Sequence, residues 1–287
     1  MISAYENVAV IGAGTMGNGI AHVFAQSGYD VHLVDQSPEA LEKALKTIEK
    51  NMDRQVKKEK ITEADKKAAL ARIKTTSDLS QAVADRKLVV EVVSESKELK
   101  DKIFADLDAH APADAILASN TSSISITRIA SATQRADKVI GMHFMNPVPV
   151  MKLIEIIKGY DTSQETLDTI LEISRDLGKT PVPANDYPGF VANRILMPMI
   201  NEAIYTLWQG VATAENIDEV MKLGMAHPMG PLTLADFIGL DVCLSILQVL
   251  HEGFGDPKYA PCPLLVNMVQ AGHLGRKSGR GFYDYSK

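Results

Sequence analysis

Cysteine, positive charge and long apolar runs are all scarce in this chain of 287 residues. Two cysteines, Cys243 and Cys262, are too few for a disulfide framework and form no CxxC metal pair. No apolar run approaches the ~18 residues of a membrane span, and the opening MISAYENVAVIG lacks the charged-then-apolar plan of a secretory signal. The net charge of −6 argues against general nucleic-acid binding. We therefore expect a cytoplasmic protein that binds neither membranes nor nucleic acids and has no metal site.

What the chain does have is the composition of a folded protein. Hydrophobic residues make up 46% of it and charged residues 23%, which excludes a disordered chain. This length leaves room for one large domain or two modest ones.

The first 35 residues have the pattern of a β-α-β unit. The continuous apolar run at 8–11 predicts a buried parallel strand. A glycine turn and a helical stretch follow, and a second apolar run ends on Asp35. This is the context in which a GxGxxG turn indicates dinucleotide binding.

Each glycine of that turn has a separate purpose. Gly12 permits the tight turn, Gly14 lets the backbone approach a pyrophosphate, and Gly17 lets helix and strand pack closely. The helix N-terminus then favours the anion. Asp35 would bind the ribose 2′-hydroxyl and repel a 2′-phosphate, so we expect NAD in preference to NADP. The predicted cofactor site consists of Gly12, Gly14, Thr15, Met16, Gly17 and Asp35.

A charged helical insertion interrupts the α/β order at 39–74. It holds eleven Lys or Arg against seven Asp or Glu, a local balance of +4 in a chain of net charge −6. Two solvated helices explain most of these charges; an anionic ligand nearby is the alternative. After it, strands and helices alternate, which predicts a mostly parallel, doubly wound sheet. The predicted strands cover 88–93, 116–119, 139–144 and 151–157, and the helices 97–110 and 124–132.

The last two of those strands are joined by a loop too short for a helical crossover, so we expect them to pair antiparallel. If the hairpin is centred near Pro149, His143 and Glu155 lie opposite each other, six residues on either side. The carboxylate would then fix the tautomer of the imidazole. A lone histidine is more often structural, but His143 lies at the carboxyl end of its strand, where ligands gather in open sheets.

Past Tyr187 the composition becomes that of an all-helical domain. The segment 190–208 is apolar on nearly every side, which predicts a helix buried all round, with a kink at Pro198. In so small a domain this suggests that another subunit completes its surface. Further helices are predicted at 213–223, 231–250 and 263–271.

Two polar features are weak signals when taken alone. The stretch 119–123, Ser-Asn-Thr-Ser-Ser, follows a predicted strand, and its ordinary interpretation is a helix N-cap. Asn193 lies inside the very apolar helix, so it needs a buried partner or a ligand.

Together, the motifs resemble the short-chain L-3-hydroxyacyl-CoA dehydrogenase family, and within it most closely the bacterial enzymes that act on 3-hydroxybutyryl-CoA. The motifs are GAGTMG at 12–17, ASNTSS at 118–123, HFMNPVPVMKLIEII at 143–157, PGFVANRI at 188–195, MGPLTLADFIGLD at 229–241 and GRKSGRGFY at 275–283. They occur in order along essentially the whole chain.

The resemblance implies an NAD-binding Rossmann-type domain at 1–187 and a helical domain at 188–287 for substrate binding and dimerisation. It implies that His143 is the general acid and base, that Glu155 orients it, and that Ser122 and Asn193 hold the substrate oxygen. Positions near the cofactor are Glu95, Lys100, Asn146 and Lys277. The basic insertion, with Arg54, Lys57 and Lys58, would bind the phosphates of coenzyme A. A homodimer acting on an acyl-CoA thioester is expected.

Two alternatives stay open. A dehydrogenase of small free hydroxy acids shares the two-domain plan, but such enzymes commonly rely on a lysine in the helical domain and need no basic insertion. A non-catalytic protein that senses NAD(H) is the other. The complete set Ser122, His143, Glu155 and Asn193 argues against it.

Overall fold

A computed structural model describes residues 5–286. The chain divides into two compact units, residues 1–186 and residues 187–287.

The first unit is built on one sheet of eight strands in the order β3-β2-β1-β4-β5-β6-β7-β8. All neighbouring strands are parallel except β6 and β7, which are antiparallel. The predicted doubly wound sheet with an antiparallel hairpin is therefore confirmed. The strands are β1 Asn7–Ile11, β2 Asp30–Val34, β3 Ile73–Thr76, β4 Leu88–Glu91, β5 Ile116–Ser119, β6 Val139–Phe144, β7 Leu153–Lys158 and β8 Thr180–Asn185.

Strand order reverses between β1 and β4, and the crevice at the carboxyl ends of these strands is where open sheets bind ligands. The centre of the sheet is buried: the residues of β4, β5 and β6 are buried throughout. The helices of this unit are α1 Thr15–Gln26, α2 Pro38–Lys57, α3 Glu63–Ala71, α4 Leu79–Val83, α5 Lys97–His110, α6 Ile126–Ala130 and α7 Gln164–Asp176.

The charged insertion forms the two helices expected of it, α2 and α3. Helix α2 starts at Pro38 behind the cap of Ser37, whose side chain accepts a hydrogen bond from the Ala40 N–H. Its buried residues, Leu41, Ala44, Ile48 and Met52, recur at helical spacing. One stripe of this basic helix therefore packs into the core of the first unit, and the remaining faces carry the charges.

Two strands escaped sequence analysis, β3 and β8. Strand β3 reads IKTT and β8 reads TPVPAN, so neither has the apolar run of a central strand. Both lie at the edges of the sheet, where half-exposed and proline-containing strands are tolerated because one side needs no partner. Their position explains why apolar periodicity could not predict them.

The second unit is helical, as expected, but differs in two details. The predicted helix at 231–250 is two helices that meet at 98°, because Gly239 has a φ of 106° and breaks the helix. The helix around Pro198 is not buried all round within this chain, since Ile195 is 67% exposed. The helices are α8 Ala192–Trp208, α9 Ala214–Gly224, α10 Pro231–Ile238, α11 Leu240–Phe254 and α12 Pro263–Gln270.

Two buried carboxylates fasten the C-terminal segment of the second unit. Asp236 accepts hydrogen bonds from the backbone N–H groups of Phe282 and Tyr283, both at 3.0 Å. Asp218 accepts one from the Tyr283 hydroxyl at 2.9 Å. Within residues 5–286, no single helix has the length and apolarity to cross a membrane; the bent pair α10 and α11 passes that test only jointly.

Candidate active site

His143 and Glu155 face each other across the β6–β7 hairpin. They are direct partners in the antiparallel register, and His143 Nδ1 lies 2.8 Å from Glu155 Oε2. The predicted juxtaposition is confirmed. Because the carboxylate can only accept, Nδ1 carries the donated proton and the basic lone pair is on Nε2.

Both side chains of this pair are buried. His143 is 8% exposed and Glu155 3% exposed, each between apolar neighbours on its strand. The carboxylate is ionised at neutral pH in most protein settings, and its charge lies where water screens it little. A carboxylate so placed fixes the orientation and the tautomer of the imidazole.

The loop after β5 brings Ser122 to the same edge of the sheet, next to β6. Glu95 holds this loop: its Oε1 accepts hydrogen bonds from the Ser122 N–H at 2.6 Å and the Ser122 hydroxyl at 3.0 Å. Thr121 Oγ1 donates to the same carboxylate at 2.9 Å. The helix-cap interpretation of 119–123 does not apply, because Ser125 caps the following helix α6.

Three residues that support this edge had no site role in the sequence analysis: Glu91, which it did not single out, and Ser119 and Asn120 of the polar stretch 119–123. Glu91 is fully buried, and Ser119 Oγ donates to its Oε2 at 2.6 Å. Asn120 Oδ1 accepts from the Phe144 N–H at 2.9 Å and so ties the loop to β6. The available signal was Glu91 itself, a carboxylate inside the apolar run at 88–93, since such a group needs partners.

The glycine turn has the geometry that its sequence predicts. Gly12 has a φ of 113°. A Cβ on Gly17 would lie 1.8 Å from the Gly12 carbonyl oxygen, so only glycine fits there. A Cβ on Gly14 would meet no atom within 4 Å, and this residue faces open space. Thr15 is exposed beside it and Met16 packs on the core.

The N-terminus of α1, the helix that follows this turn, has the features of an anion-binding site. Within residues 5–186, α1 is the one α-helix whose N-terminus has no side-chain cap. The other helices of the unit are capped by Ser37, Thr62, Asp78, Ser96, Ser125 and Ser163. The first N–H groups of α1 therefore have no side-chain acceptor within the helix cap, and a pyrophosphate fits in that place.

Asp35, which directly follows β2, contacts the glycine turn through its carboxylate. Its Oδ2 accepts from the Ala13 N–H at 2.8 Å and its Oδ1 from the Ser37 N–H at 3.0 Å. Two backbone donors thus hold the carboxylate where a ribose would follow the pyrophosphate. The neighbouring Gln36 donates to the Ser77 carbonyl at 3.2 Å and adds no positive charge. The residues present fit NAD.

A cavity of about 370 Å³ opens beside the glycine turn. Its walls are α1, α2 and the β6–β7 loop with Asn146, which is exposed. Arg54, Lys57 and Lys58 lie farther along, at the C-terminal end of α2, and all three are exposed.

Two predicted site residues belong to the second unit. Asn193 is 8% exposed in the first turn of α8, where its N–H donates to the Gly189 carbonyl at 3.1 Å. Lys277 is exposed and donates to Asp241 Oδ2 at 2.7 Å. Burial opposes ionisation of Asp241, but the Lys277 ammonium and backbone N–H groups outweigh it and lower the pKa of that carboxyl.

Among residues 5–286, no group of three or more His, Cys, Asp and Glu side chains could hold a metal ion. The polar groups that the structure brings to this edge include the His143 imidazole, the carboxylates of Glu95 and Glu155 and the Ser122 hydroxyl.

Comparison with known proteins finds matches that cover both units. Residues 7–187 match the family described as 3-hydroxyacyl-CoA dehydrogenase, NAD binding domain, and residues 189–285 match its C-terminal domain. A probable 3-hydroxybutyryl-CoA dehydrogenase of Bacillus subtilis is 55% identical over 98% of both chains. The mitochondrial hydroxyacyl-coenzyme A dehydrogenase of Rattus norvegicus is 45% identical over 98% of this chain and 91% of its own.

A solved structure is similar over the same extent. The crystal structure of (S)-3-hydroxybutyryl-CoA dehydrogenase from Ralstonia eutropha superposes with a TM-score of 0.96 at 52% identity. It covers 99% of this chain and 100% of that one.

Proposed function

This chain belongs to the 3-hydroxyacyl-CoA dehydrogenase family, and on that premise we propose that it interconverts (S)-3-hydroxybutyryl-CoA and acetoacetyl-CoA. It is an NAD-dependent oxidoreductase. The observation that carries the proposal is the buried pair of His143 and Glu155, 2.8 Å apart, at the edge where the glycine turn lies. The relatives named above support the four-carbon substrate.

Bound NAD supplies the acceptor, and NADH the donor, of a hydride at C3 of the substrate. Gly14 and the uncapped start of α1 hold its pyrophosphate, and Asp35 its ribose. Asn146 and Glu95 are exposed at the same edge and contact the dinucleotide from there. Lys277, which donates to Asp241 Oδ2, is a further cofactor-binding residue in this proposal.

His143 moves the proton. In the oxidation direction its Nε2 takes the proton of the 3-hydroxyl, and in the reduction direction it returns that proton to the oxygen. Glu155 accepts from Nδ1 throughout, so it keeps the ring oriented and stabilises the imidazolium.

Ser122 and Asn193 hold the oxygen at C3. A hydroxyl and a carboxamide can both donate to it, and a donor to this oxygen stabilises the negative charge that develops on it. Ser122 comes from the loop of the first unit and Asn193 from the buried start of α8.

Coenzyme A has a place in this arrangement. The cavity between α1, α2 and the β6–β7 loop extends from the glycine turn along α2 to Asn51. The phosphates of coenzyme A are bound beyond this cavity, at the C-terminal end of α2. Three exposed cations lie there, Arg54, Lys57 and Lys58.

A homodimer formed by the second unit is part of the proposal. Several large apolar side chains of that unit are exposed, namely Ile195, Trp208, Val211, Val220, Leu223 and Met225. Such a surface is typical of a protein interface. Light scattering on the purified protein should give twice the mass of one 31.2 kDa chain. The two free, buried cysteines agree with a cytoplasmic, reducing environment.

The test is to mix the protein with acetoacetyl-CoA and follow the loss of NADH absorbance. Parallel reactions contain NADPH in place of NADH, or free acetoacetate in place of the thioester. We expect turnover with NADH and the thioester, and its abolition in His143→Ala. Turnover of free acetoacetate instead would favour the hydroxy-acid dehydrogenase, and NADH binding without any turnover would favour the sensor.

A further inference from the structure

Lys179 lies directly before the edge strand β8 and reaches across to the β6–β7 loop. Its Nζ donates to the Val148 carbonyl at 2.5 Å and to the Met151 carbonyl at 2.7 Å. Both acceptors belong to the main chain, whereas the buried Lys100 of α5 pairs with the Glu91 carboxylate at 2.7 Å. Lys179 therefore fixes the backbone of the loop, whatever side chains the loop carries.

The surroundings of Lys179 oppose its positive charge. Burial lowers the pKa of Lys179, and the nearby charge of Lys152 lowers it further. The two loop carbonyls stabilise the ammonium through charge-assisted hydrogen bonds, which are stronger than neutral ones. An ammonium kept in such surroundings indicates that its bonds to the loop are the reason for a lysine at this position.

A second contact fixes the same loop against α1. Val148 is buried, and a Cβ on Gly19 would lie 2.9 Å from the Val148 Cβ and 3.0 Å from its Cγ2. Only glycine permits this approach without a shift of the loop. Gly19 lies inside α1, where glycine is less favourable than alanine, and it is not one of the three glycines of the turn. The close approach of the loop explains why a glycine stands there.

The loop held in this way carries Asn146. The N–H groups of Val150 and Met151 both donate to the Pro147 carbonyl at 3.0 Å, so the loop forms a closed turn directly after Asn146. Asn146 lines the same cavity as Gly14 of the glycine turn. A loop that moved away from α1 would therefore take Asn146 away from the glycine turn.

We infer that Lys179 and Gly19 are positioning residues that hold the β6–β7 loop against α1 and thereby place Asn146 beside the glycine turn. This role rests on the proposed function only in taking Asn146 as a contact of the dinucleotide. Lys179 fixes the backbone of the loop through two carbonyls, and Gly19 sets how closely that backbone approaches α1. Both act on the dinucleotide through Asn146.

The test removes the ammonium and then restores it. Lys179→Met keeps much of the side-chain volume without the donor, and Lys179→Arg supplies a cationic donor again. The hydrogen bond to the Met151 carbonyl is exposed, so water can replace the ammonium there, and circular dichroism should show a folded protein. Both substitutions are made in the wild-type chain and in Asn146→Ala. Lys152→Met is the matched control, because Lys152 is an exposed cation beside the same cavity as Lys179.

We expect Lys179→Met to weaken NADH binding about fivefold in a fluorescence titration, which corresponds to one hydrogen bond to a ligand. In the Asn146→Ala chain the same substitution should change the dissociation constant less than about twofold. Lys179→Arg and Lys152→Met should both bind NADH like the wild type. Equal losses in the two chains would overturn the inference, since Lys179 would then not act through Asn146. A loss in Lys152→Met as large as that in Lys179→Met would overturn it too, because positive charge alone would then explain the effect.

Hydrogen exchange reports on the loop without any ligand. The N–H groups of Val150 and Met151, which donate to the Pro147 carbonyl, should exchange about tenfold faster in Lys179→Met than in the wild type. Unchanged exchange would overturn the inference even in a protein that reduces acetoacetyl-CoA.

Gly19→Ala tests the contact with α1 separately. Its Cβ would displace Val148, so NADH binding should weaken in the wild-type chain but not further in Asn146→Ala. Additive losses would exclude the connection between Gly19 and Asn146. If the wild-type chain itself does not bind NADH, the proposed function fails; the exchange measurement still decides whether Lys179 holds the loop.

Discussion

Replacing Glu155 by Gln tests the charge of the catalytic pair while keeping its shape. The side chains have the same length, and the amide oxygen can still accept from His143 Nδ1, 2.8 Å away in the wild-type protein. Only the negative charge is lost. Since Glu155 is 3% exposed, water cannot replace it.

The expected loss follows from the two kinds of hydrogen bond. A bond to a charged group contributes about 1.5–3 kcal/mol and a neutral one about 0.5–1.5. The imidazolium that forms during the reaction therefore loses about 1.5 kcal/mol of stabilisation, which corresponds to roughly a tenfold lower kcat. In Glu155→Ala the buried Nδ1–H has no acceptor in its place, so kcat should fall by a further factor of about ten.

Stopped-flow or steady-state measurement of NADH at 340 nm, with acetoacetyl-CoA saturating, checks both values. Glu42→Gln is the control: Glu42 is an exposed carboxylate that pairs with Lys46, and its kcat should equal that of the wild type. Circular dichroism shows whether each variant is folded. A Glu155→Gln enzyme with kcat within twofold of wild type would refute the electrostatic role assigned to Glu155.

Three further predictions concern the cofactor turn and the cysteines. Gly14→Ala should have the melting temperature of the wild type, because its Cβ meets nothing within 4 Å. It should nevertheless bind NADH about tenfold more weakly in titration, since a methyl group blocks the pyrophosphate. Gly17→Ala should instead have a melting temperature several degrees lower, because its Cβ would lie 1.8 Å from the Gly12 carbonyl oxygen. Asp35→Asn should reduce the preference for NADH over NADPH in kcat/KM about tenfold, because the charge that repels a 2′-phosphate is gone. The native protein should show no thiol reactive with Ellman's reagent and two after denaturation, because Cys243 and Cys262 are fully buried and burial raises the pKa of Cys243 to about 12.

Each of these has an outcome that contradicts its reasoning. Equal NADH affinity in Gly14→Ala and wild type would mean that the backbone does not approach the pyrophosphate at Gly14. An unchanged cofactor preference in Asp35→Asn would place the ribose elsewhere. A rapidly reacting thiol in the native protein would show that the helical core around Cys243 opens readily.

The sequence alone predicted those structural elements that are determined by residues close together in the chain. The glycine turn, helix α5 and the hairpin of His143 and Glu155 each follow from residues near in the chain, whose spacing alone sets their geometry. The roles of these residues remain predictions until the variants are measured.

Much of what escaped prediction depends on contacts between distant segments. Strand β8 forms because β7 offers it a parallel edge, which its own proline-rich sequence does not reveal. Glu95 is 27 positions from Ser122, so no spacing rule connects the two. The break at Gly239 was within reach of sequence reasoning, since a glycine inside an apolar helical run can end a helix.

The antiparallel pairing of β6 and β7 sets the positions of His143 and Glu155 through the strand register rather than through the loop that joins the two strands. His143 and Glu155 are matched by the backbone ladder, and β7 is fixed on its other side by β8. A slip by one residue would turn Glu155 away and bring apolar side chains to the wrong face of the sheet, so register is strongly selected. Exposed positions of that loop, such as Val150 and Met151, can therefore change during evolution or by design, whereas the buried Val148 is constrained by the core. Such changes leave the pairing of His143 with Glu155 in place.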